Sequence, residues 1–284
     1  MRCDLHTHSI FSDGSCTPTE IVKQAKQKNL VVALTDHNTV SGLPEFMSSA
    51  EEYGVTAVGG VEFSTSWNNI DLHILGLFID RQHYDKVTTL VKQADELKRL
   101  SNIDLVEKLR KYEGFDISYD EVENNTPDKK VNRTHIAKEL LAKGCVQTMD
   151  EAFKTVLSTS YGLYVKPKRL DSLDTVKFIK SIGAVPLLAH PFLNLNSEQL
   201  EVFLPQAKEY GLVGMETMHS KFSGETMKLA KKIAEKYNLL ESGGSDFHGN
   251  ASSEISIGTG IDNNLNIPYE VYEKLCEYRI KHLI

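Results

Sequence analysis

Seven short apolar runs, each followed by a polar or charged cluster, recur along this chain of 284 residues. The runs span residues 2–5, 31–34, 56–61, 71–78, 184–189, 212–216 and 239–241. Short apolar strands that alternate with helical segments are typical of parallel α/β sheets, whose strands all end at the same edge. The pattern therefore predicts an α/β fold in which the clusters that follow the runs meet in space.

Segments with helical periodicity fill the intervals between the runs. Residues 18–29 follow Thr17, a predicted N-cap, and residues 225–237 show the same spacing of apolar positions. These segments are long enough to connect one parallel strand to the next.

The strand pattern stops between residues 84 and 169, where a long apolar stripe predicts a helix over 87–109. Shorter helices are expected near 119–123, 133–143 and 150–157, with Gly114, Pro127 and Gly144 as breakers between helices. We therefore expect an α/β unit formed by 1–83 and 170–284, and a helical insert at 84–169.

The composition excludes several classes of protein. With 40% hydrophobic and 25% charged residues the chain is globular, and its net charge of −7 argues against a partner such as extended duplex nucleic acid. Residues 126–170 depart from this balance, since they hold nine lysines and arginines against four acids. Positive charge is expected to concentrate there.

Targeting signals and disulfide patterns are not recognisable. The first residues form no apolar signal run and no stretch is apolar enough to span a membrane, so we expect a cytoplasmic protein. The four cysteines are Cys3, Cys16, Cys145 and Cys276. Because no two form a CxxC pair, they are expected to be reduced packing residues.

Seven of the ten histidines lie at or near the ends of the apolar runs. They are His6, His8, His37, His73, His190, His219 and His248. Acids accompany them at Asp13, Asp36, Glu62 and Asp246. Imidazole and carboxylate groups together bind Zn²⁺, Mn²⁺ or Fe, and so many donors at one barrel mouth predict more than one ion.

One pair of these histidines has a geometry suited to chelation. His6 and His8 are two residues apart, so on an extended strand their side chains point the same way and can bind one ion.

Six motifs combine to define a family resemblance. They are Asp-Leu-His-Thr-His-Ser at 4–9, Thr-Asp-His at 35–37, Gly-Val-Glu at 60–62, His73, Ala-His-Pro at 189–191 and Ser-Asp-Phe-His at 245–248. Together they resemble the PHP (polymerase and histidinol phosphatase) metal-dependent phosphoesterases. The resemblance implies a distorted, TIM-like (β/α)₇ barrel with a trinuclear metal site at its carboxyl mouth.

The insert is similar to that of one branch, the stand-alone nucleotide-directed enzymes. The similar segments are Arg-Thr-His-Ile-Ala at 133–137 and Tyr-Val-Lys-Pro at 164–167. Thr134 departs from that branch, which usually has proline there.

The resemblance also implies a metal ligand set. The first metal would be held by His6, His8, Glu62 and Asp246, the second by Glu62, His73 and His190, and the third by Asp13, His37 and His248. Glu62 would bridge the first two. Many relatives have histidine in place of Asp13, so the resemblance implies a harder third site, which favours Mn²⁺ or Mg²⁺ over Zn²⁺. Asp36 is interpreted as a partner that orients an imidazole.

The resemblance implies two or three bound Mn, Zn or Fe ions. The implied reaction is hydrolysis of a phosphate ester by a water molecule that two of these ions share. Arg133 is the predicted phosphate clamp, with His135, Lys166 and Lys168 as further contacts. His219 is interpreted either as a group that contacts phosphate or protonates the leaving oxygen, or as a polar rim residue.

The expected substrate is small and nucleotide-like, such as a 3′,5′-bisphosphate or the end of a short oligonucleotide. Histidinol phosphate is an alternative substrate, which the long insert argues against. A noncatalytic scaffold is a further alternative, but every expected ligand position holds a histidine or an acid. Amide hydrolysis is chemically possible, and the basic segment at 126–170 favours phosphate over it.

Overall fold

The computed structural model describes residues 1–126, 129, 131–249 and 254–284. Within these ranges eight strands form one sheet. They are β1 (Arg2–Asp4), β2 (Leu30–Leu34), β3 (Ala57–Trp67), β4 (Ile70–Leu77), β5 (Leu170–Asp171), β6 (Val185–Leu188), β7 (Gly214–His219) and β8 (Leu240–Gly244). Each of the seven predicted runs overlaps one of these strands. The two-residue β5, which pairs with β3, was not predicted.

The strands follow the order β1-β2-β3-β4-β6-β7-β8, and one of them runs against the rest. β4 is antiparallel to both β3 and β6, so the expectation of a fully parallel sheet is wrong for this strand. The cause is a two-residue turn, in which Asn68 and Asn69 both have positive φ, at 49° and 65°. Such a turn folds the chain directly back into a hairpin.

The sheet closes next to the first histidine motif. The Leu5 amide donates to Gly243 O at 3.1 Å, and the His8 amide donates to Phe247 O at 2.8 Å. A Cβ atom at Gly244 would lie only 2.2 Å from Cβ of His6, so glycine permits this close approach. The prediction of a distorted seven-stranded α/β barrel is confirmed.

Ten α-helices accompany the sheet within the described residues. They are α1 (Pro18–Lys28), α2 (Leu43–Tyr53), α3 (Tyr84–Glu113), α4 (Tyr119–Asn124), α5 (Arg133–Ala142), α6 (Met149–Lys154), α7 (Ser172–Ser181), α8 (Ser197–Tyr210), α9 (Gly224–Lys236) and α10 (Tyr269–His282). Thr17 caps α1 as predicted, in a capping box with Glu20. None of the helices in the described ranges has the length and apolar character needed to cross a membrane.

The chain divides into two compact units, Met1–Thr88 with Leu170–Ile284, and Thr89–Arg169. The first unit contains the sheet, and every residue of β2 and β6 is buried, so these strands are covered on both faces. The second unit has a core of its own, in which Leu105, Ile136 and Leu157 are fully buried. Pro127, a predicted breaker in this unit, lies outside the described residues.

A buried carboxylate fastens the closing strands of the barrel. Asp4 accepts hydrogen bonds from the amide of Ser245 at 2.8 Å, from its hydroxyl at 2.5 Å, and from the amide of Gly258 at 2.7 Å. Asp4 is fully buried, so no water can replace these bonds if the carboxylate is lost.

The Asp4→Asn variant should lower the free energy of unfolding by about 3 kcal/mol, because buried donors lose a charged acceptor. Urea denaturation of the metal-free protein measures this loss. Asp262→Asn is the matched control, because Asp262 is exposed and asparagine readily adopts the positive φ found at this position. This control substitution should change the free energy of unfolding by less than about 0.5 kcal/mol. Equal midpoints for the two variants would contradict the role of Asp4.

Candidate metal centre

Nine predicted ligands gather at the carboxyl mouth of the barrel. His6 and His8 follow β1, His37 follows β2, Glu62 lies in β3 and His73 in β4, His190 follows β6, and Asp246 and His248 follow β8, with Asp13 in the loop after β1. The antiparallel direction of β4 brings His73 beside Ser64 of β3, two residues from Glu62.

Glu62 lies at the centre of this group and is only 1% exposed. Its Oε2 atom is 3.1 Å from Nε2 of His6, Nε2 of His8 and Nδ1 of His37. Its Oε1 atom is 2.7 Å from Nδ1 of His73 and 2.9 Å from Nε2 of His190. One carboxylate therefore contacts five imidazoles, an arrangement suited to bridging two ions.

One ligand group surrounds Oε2 of Glu62. Single ligand atoms of His6, His8, Glu62 and Asp246 all lie within 4.8 Å of one another. The Nε2 atoms of His6 and His8 face each other at 3.0 Å. Two neutral imidazoles whose lone pairs point at one place repel each other unless a cation or a proton lies between them.

Two further groups overlap the first. His8, Asp13, His37 and His248 form one group, and His37, Glu62 and His73 form another. His37 thus stands between the predicted second and third sites, while Nε2 of His190 contacts the same Glu62 oxygen as His73. The structure brings all nine residues together. The assignment of each to a particular ion stays a prediction.

The donor set fits divalent ions. Nδ1 of His37 is buried 3.1 Å from Oε2 of Glu62 but makes no hydrogen bond. Burying such an atom without a partner is costly, unless it serves as a ligand. Imidazole and carboxylate donors without cysteine suit Mn²⁺, Fe²⁺ or Zn²⁺.

Charges within the cluster shift the pKa values of its members. Burial lowers the pKa of His8, but hydrogen bonds to Asp246 and Glu62 outweigh it and raise the pKa to about 10. Burial, opposed by the charge of Glu62, lowers the pKa of His37 to about 3. The pKa of Glu62 is driven well below its usual range, because nearby imidazoles outweigh the effect of its burial. Without metal the cluster therefore holds protons in the place of cations.

A buried acid that sequence reasoning missed supports two ligands. Glu216 in β7 accepts from Nδ1 of His6 at 3.0 Å and from the backbone amide of His190 at 2.6 Å. The register of β7 against β8 shifts between Glu216 and Met218. This irregularity lets Glu216 and His219, three residues apart, both reach the mouth of the barrel. The available signal was an acid that ends the apolar run 212–216, three residues before His219.

Two of the predicted ligands also have unusual backbone conformations. His190 has φ of 24° and Asp246 has φ of 57°, in the left-handed region that residues with a side chain rarely adopt. Such strain is typical of functional sites.

Within the described residues Asp36 forms no hydrogen bond or ion pair with an imidazole, so the interpretation that it orients one depends on side chains that lie between them. Its carboxylate accepts from the amide and hydroxyl of Ser9, both at 2.7 Å, and from the hydroxyl of Ser12 at 2.8 Å. The hydroxyl of Ser12 is in turn 3.4 Å from Nδ1 of His8. Asp36 therefore acts on His8 only through Ser12.

His219 is fully buried, so it is not a polar rim residue. Its Nδ1 accepts from the backbone amide of Lys221 at 3.2 Å, which places the ring proton on Nε2 when the imidazole is neutral. Nε2 lies 3.5 Å from Oδ2 of Asp246, and the ring centroid is 5.4 Å from that of His190. His219 thus presents an N–H group inside the cluster.

The predicted substrate residues of the insert all lie in the second unit. Arg133 donates to the carbonyl of Leu157 at 3.1 Å, and its guanidinium lies 4.3 Å from the ring centroid of Tyr164. His135 accepts from the Asn132 amide at the start of α5, and Lys166 and Lys168 are exposed.

A barrel mouth lined with imidazoles and carboxylates is typical of metal-dependent hydrolases. The model of the PHP domain matches residues 4–163, more than half of the chain. The chain belongs to the PHP domain family of metal-dependent phosphoesterases.

Individual relatives agree with this family. A 5′-3′ exoribonuclease of Haemophilus influenzae is 32% identical over 87% of this chain and 90% of its own length. A 3′,5′-nucleoside bisphosphate phosphatase of Chromobacterium violaceum is 30% identical over 86% of each chain. A crystal structure from Bifidobacterium adolescentis, assigned as a metal-dependent phosphoesterase, is 26% identical with a TM-score of 0.78 over 96% of this chain and 94% of that one.

Glu62→Gln should remove at least one bound ion per chain and slow phosphate release by more than about a hundredfold, since an amide cannot bridge two cations. Elemental analysis and a phosphate assay on one sample measure both effects. The exposed Glu51 provides the control Glu51→Gln, which should behave like the unmodified protein. Full metal content in Glu62→Gln would contradict the central place of this carboxylate.

Binding of Mn²⁺ to the metal-free protein should release protons near pH 7. His8, with a pKa of about 10, is then protonated, and coordination requires its neutral form. Apparent affinity should therefore increase as the pH rises from about 6 to about 9. Calorimetry in two buffers of different ionisation enthalpy tests this, and identical heats in both buffers would count against it.

Proposed function

We propose that the protein hydrolyses a small nucleotide-like phosphate ester with two or three divalent metal ions bound at the mouth of the barrel. The observation that carries the proposal is the placement of Glu62 among five imidazoles, with Asp246 and Asp13 beside them. When bound, the ions would supply an activated water and would neutralise charge on the phosphate oxygens.

The residues of the chain position these ions. His6, His8, Glu62 and Asp246 would hold the first ion, His73 and His190 would share the second with Glu62, and Asp13, His37 and His248 would hold the third. Glu216 fixes His6 in one orientation through its Nδ1, so that Nε2 points into the cluster.

His219 is proposed to donate a hydrogen bond to the leaving oxygen. In hydrolysis the bond between phosphorus and that oxygen breaks, and negative charge develops on the oxygen until it takes up a proton from solvent water. The buried Nε2 of His219 carries the hydrogen when the ring is neutral, and its position beside Asp246 suits a hydrogen bond to an oxygen held by the ions.

The insert is proposed to recognise phosphate. Arg133 has the planar guanidinium that pairs with two phosphate oxygens, and His135, Lys166 and Lys168 add positive charge or donors. The contacts of Arg133 with Leu157 and Tyr164 hold its guanidinium in one orientation, which lowers the entropic cost of binding.

The relatives favour nucleotides over other phosphate esters. The Chromobacterium violaceum protein is named for nucleoside 3′,5′-bisphosphates and the Haemophilus influenzae protein for the 5′ end of RNA. Both substrates consist of nucleotides and contain phosphate ester bonds. A single nucleotide, or the end of a short oligonucleotide, is therefore the proposed substrate, and the net charge of −7 disfavours extended duplex nucleic acid.

A panel of nucleoside monophosphates, 3′,5′-bisphosphates, short RNA and histidinol phosphate, assayed with Mn²⁺, Zn²⁺ or Fe²⁺, tests the proposal. Release of phosphate or nucleotide from nucleotide substrates supports it. Preferential hydrolysis of histidinol phosphate would show that the substrate is not a nucleotide. No turnover of any substrate with any of the ions would favour a noncatalytic scaffold role for the protein.

Arg133→Ala should raise KM for the best nucleotide by about tenfold to a hundredfold and leave metal content unchanged, because the lost bonds are charge-assisted. Steady-state kinetics with elemental analysis measure both. Lys138 is exposed on the same helix, α5, so Lys138→Ala is the matched control and should keep the original KM. Equal KM values for the two variants would remove Arg133 from phosphate recognition.

A further inference from the structure

A cavity lies beside the metal centre, between the loops that follow β6 and β7. Its volume is about 550 Å³, within the range of about 300–1,000 Å³ typical of small-molecule sites. The residues that shape it are Phe192, Leu193, Asn194, Lys221, Phe222 and Leu229. We call it the β6–β7 cavity.

Residues that line the β6–β7 cavity also contact residues of the metal centre. Phe192 is two residues beyond His190, and Lys221 is two residues beyond His219. The Nζ atom of Lys221 lies 3.8 Å from Oδ2 of Asp246. A phosphate ester held at the ions would therefore have its remaining atoms beside this cavity.

The apolar part of the cavity is aromatic and fixed in place. Phe222 is 4% exposed, and its ring packs between His219, at a centroid distance of 5.2 Å, and Phe192, at 5.9 Å. Phe192 is half-buried, so its ring is open to a ligand while Phe222 supports it. An exposed apolar surface of this kind beside a charged site is typical of a binding site.

The rim of the cavity is mixed in character. Leu193 and Leu229 are 42% and 40% exposed, and Asn194 supplies an amide that can both donate and accept. Lys221 stands on the side of the metal centre, with half of its side chain exposed. A purely aliphatic ligand would offer no hydrogen-bonding group to the amide of Asn194, whereas a sugar phosphate alone would leave the rings uncovered.

We propose that the β6–β7 cavity binds the nucleobase of the substrate, with Phe192 as the stacking platform and Lys221 beside the ribose or phosphate that links the base to the metal centre. A base has an aromatic face for Phe192 and polar edges for Asn194. This inference rests on the proposed function, because the phosphate of the same molecule lies at the ions.

Two substrates that differ only in the base test the proposal. Adenosine 5′-monophosphate and ribose 5-phosphate carry the same phosphate group, so the ratio of their kcat/KM values measures recognition of the base. Phe192→Leu keeps an apolar side chain but removes the ring. It should lower that ratio by about tenfold, chiefly through KM for the nucleotide, as expected for the loss of one base–aromatic contact.

Val202→Ala is the control variant. Val202 is 55% exposed on α8 and does not line the β6–β7 cavity, so its replacement should leave the ratio unchanged. A Phe192→Leu ratio equal to that of the unmodified protein, with both substrates hydrolysed, would overturn the cavity proposal while phosphoesterase activity stands.

Binding of adenosine, which has no phosphate, separates the two proposals. Calorimetry or ligand-detected NMR should show adenosine binding to the unmodified protein and its weakening by about tenfold in Phe192→Leu. If no phosphate ester is hydrolysed, this binding still supports the cavity although the proposed function fails. If adenosine binds neither protein, or binds both equally, the assignment of the cavity to a nucleobase is wrong.

Discussion

The structure depends on one buried carboxylate that faces five imidazoles. Glu62 is buried, and the unfavourable free energy of burying its negative charge must be offset by nearby positive charge. In the protein without metal, protons on the imidazoles supply this positive charge, since the pKa of His8 rises to about 10 and the pKa of Glu62 falls. Divalent ions can take the place of these protons, because the same nitrogen and oxygen atoms are metal ligands. The site is thus built for cations.

The rest of the barrel holds this group of like donors together. Asp4 fastens the closing strands, Gly244 admits the backbone of His6, and the left-handed residues His190 and Asp246 direct their side chains into the mouth. The left-handed backbone of His190 and Asp246 opposes the conformational preference of residues with a side chain. Functional sites commonly store strain in this way.

The sequence was sufficient to predict the strands and the residues at their ends, because both follow from local patterns. The direction of β4 was not predicted, since it depends on a two-residue turn at Asn68 and Asn69 rather than on apolar periodicity. Glu216 was missed because an irregularity in β7 changes which side chains face the mouth. The path from Asp36 to an imidazole was not predicted, because its nearest partners are the serines Ser9 and Ser12, which motif spacing cannot show.

The central claim is that Glu62 organises a multinuclear centre that hydrolyses phosphate esters. The most direct measurement is a titration of the metal-free protein with Mn²⁺, in which bound ions per chain and the rate of phosphate release from a nucleotide are followed on the same sample. The account predicts two or three bound ions, with activity appearing only as occupancy exceeds one. Full activity with a single ion, or saturation at one ion without activity, would contradict it.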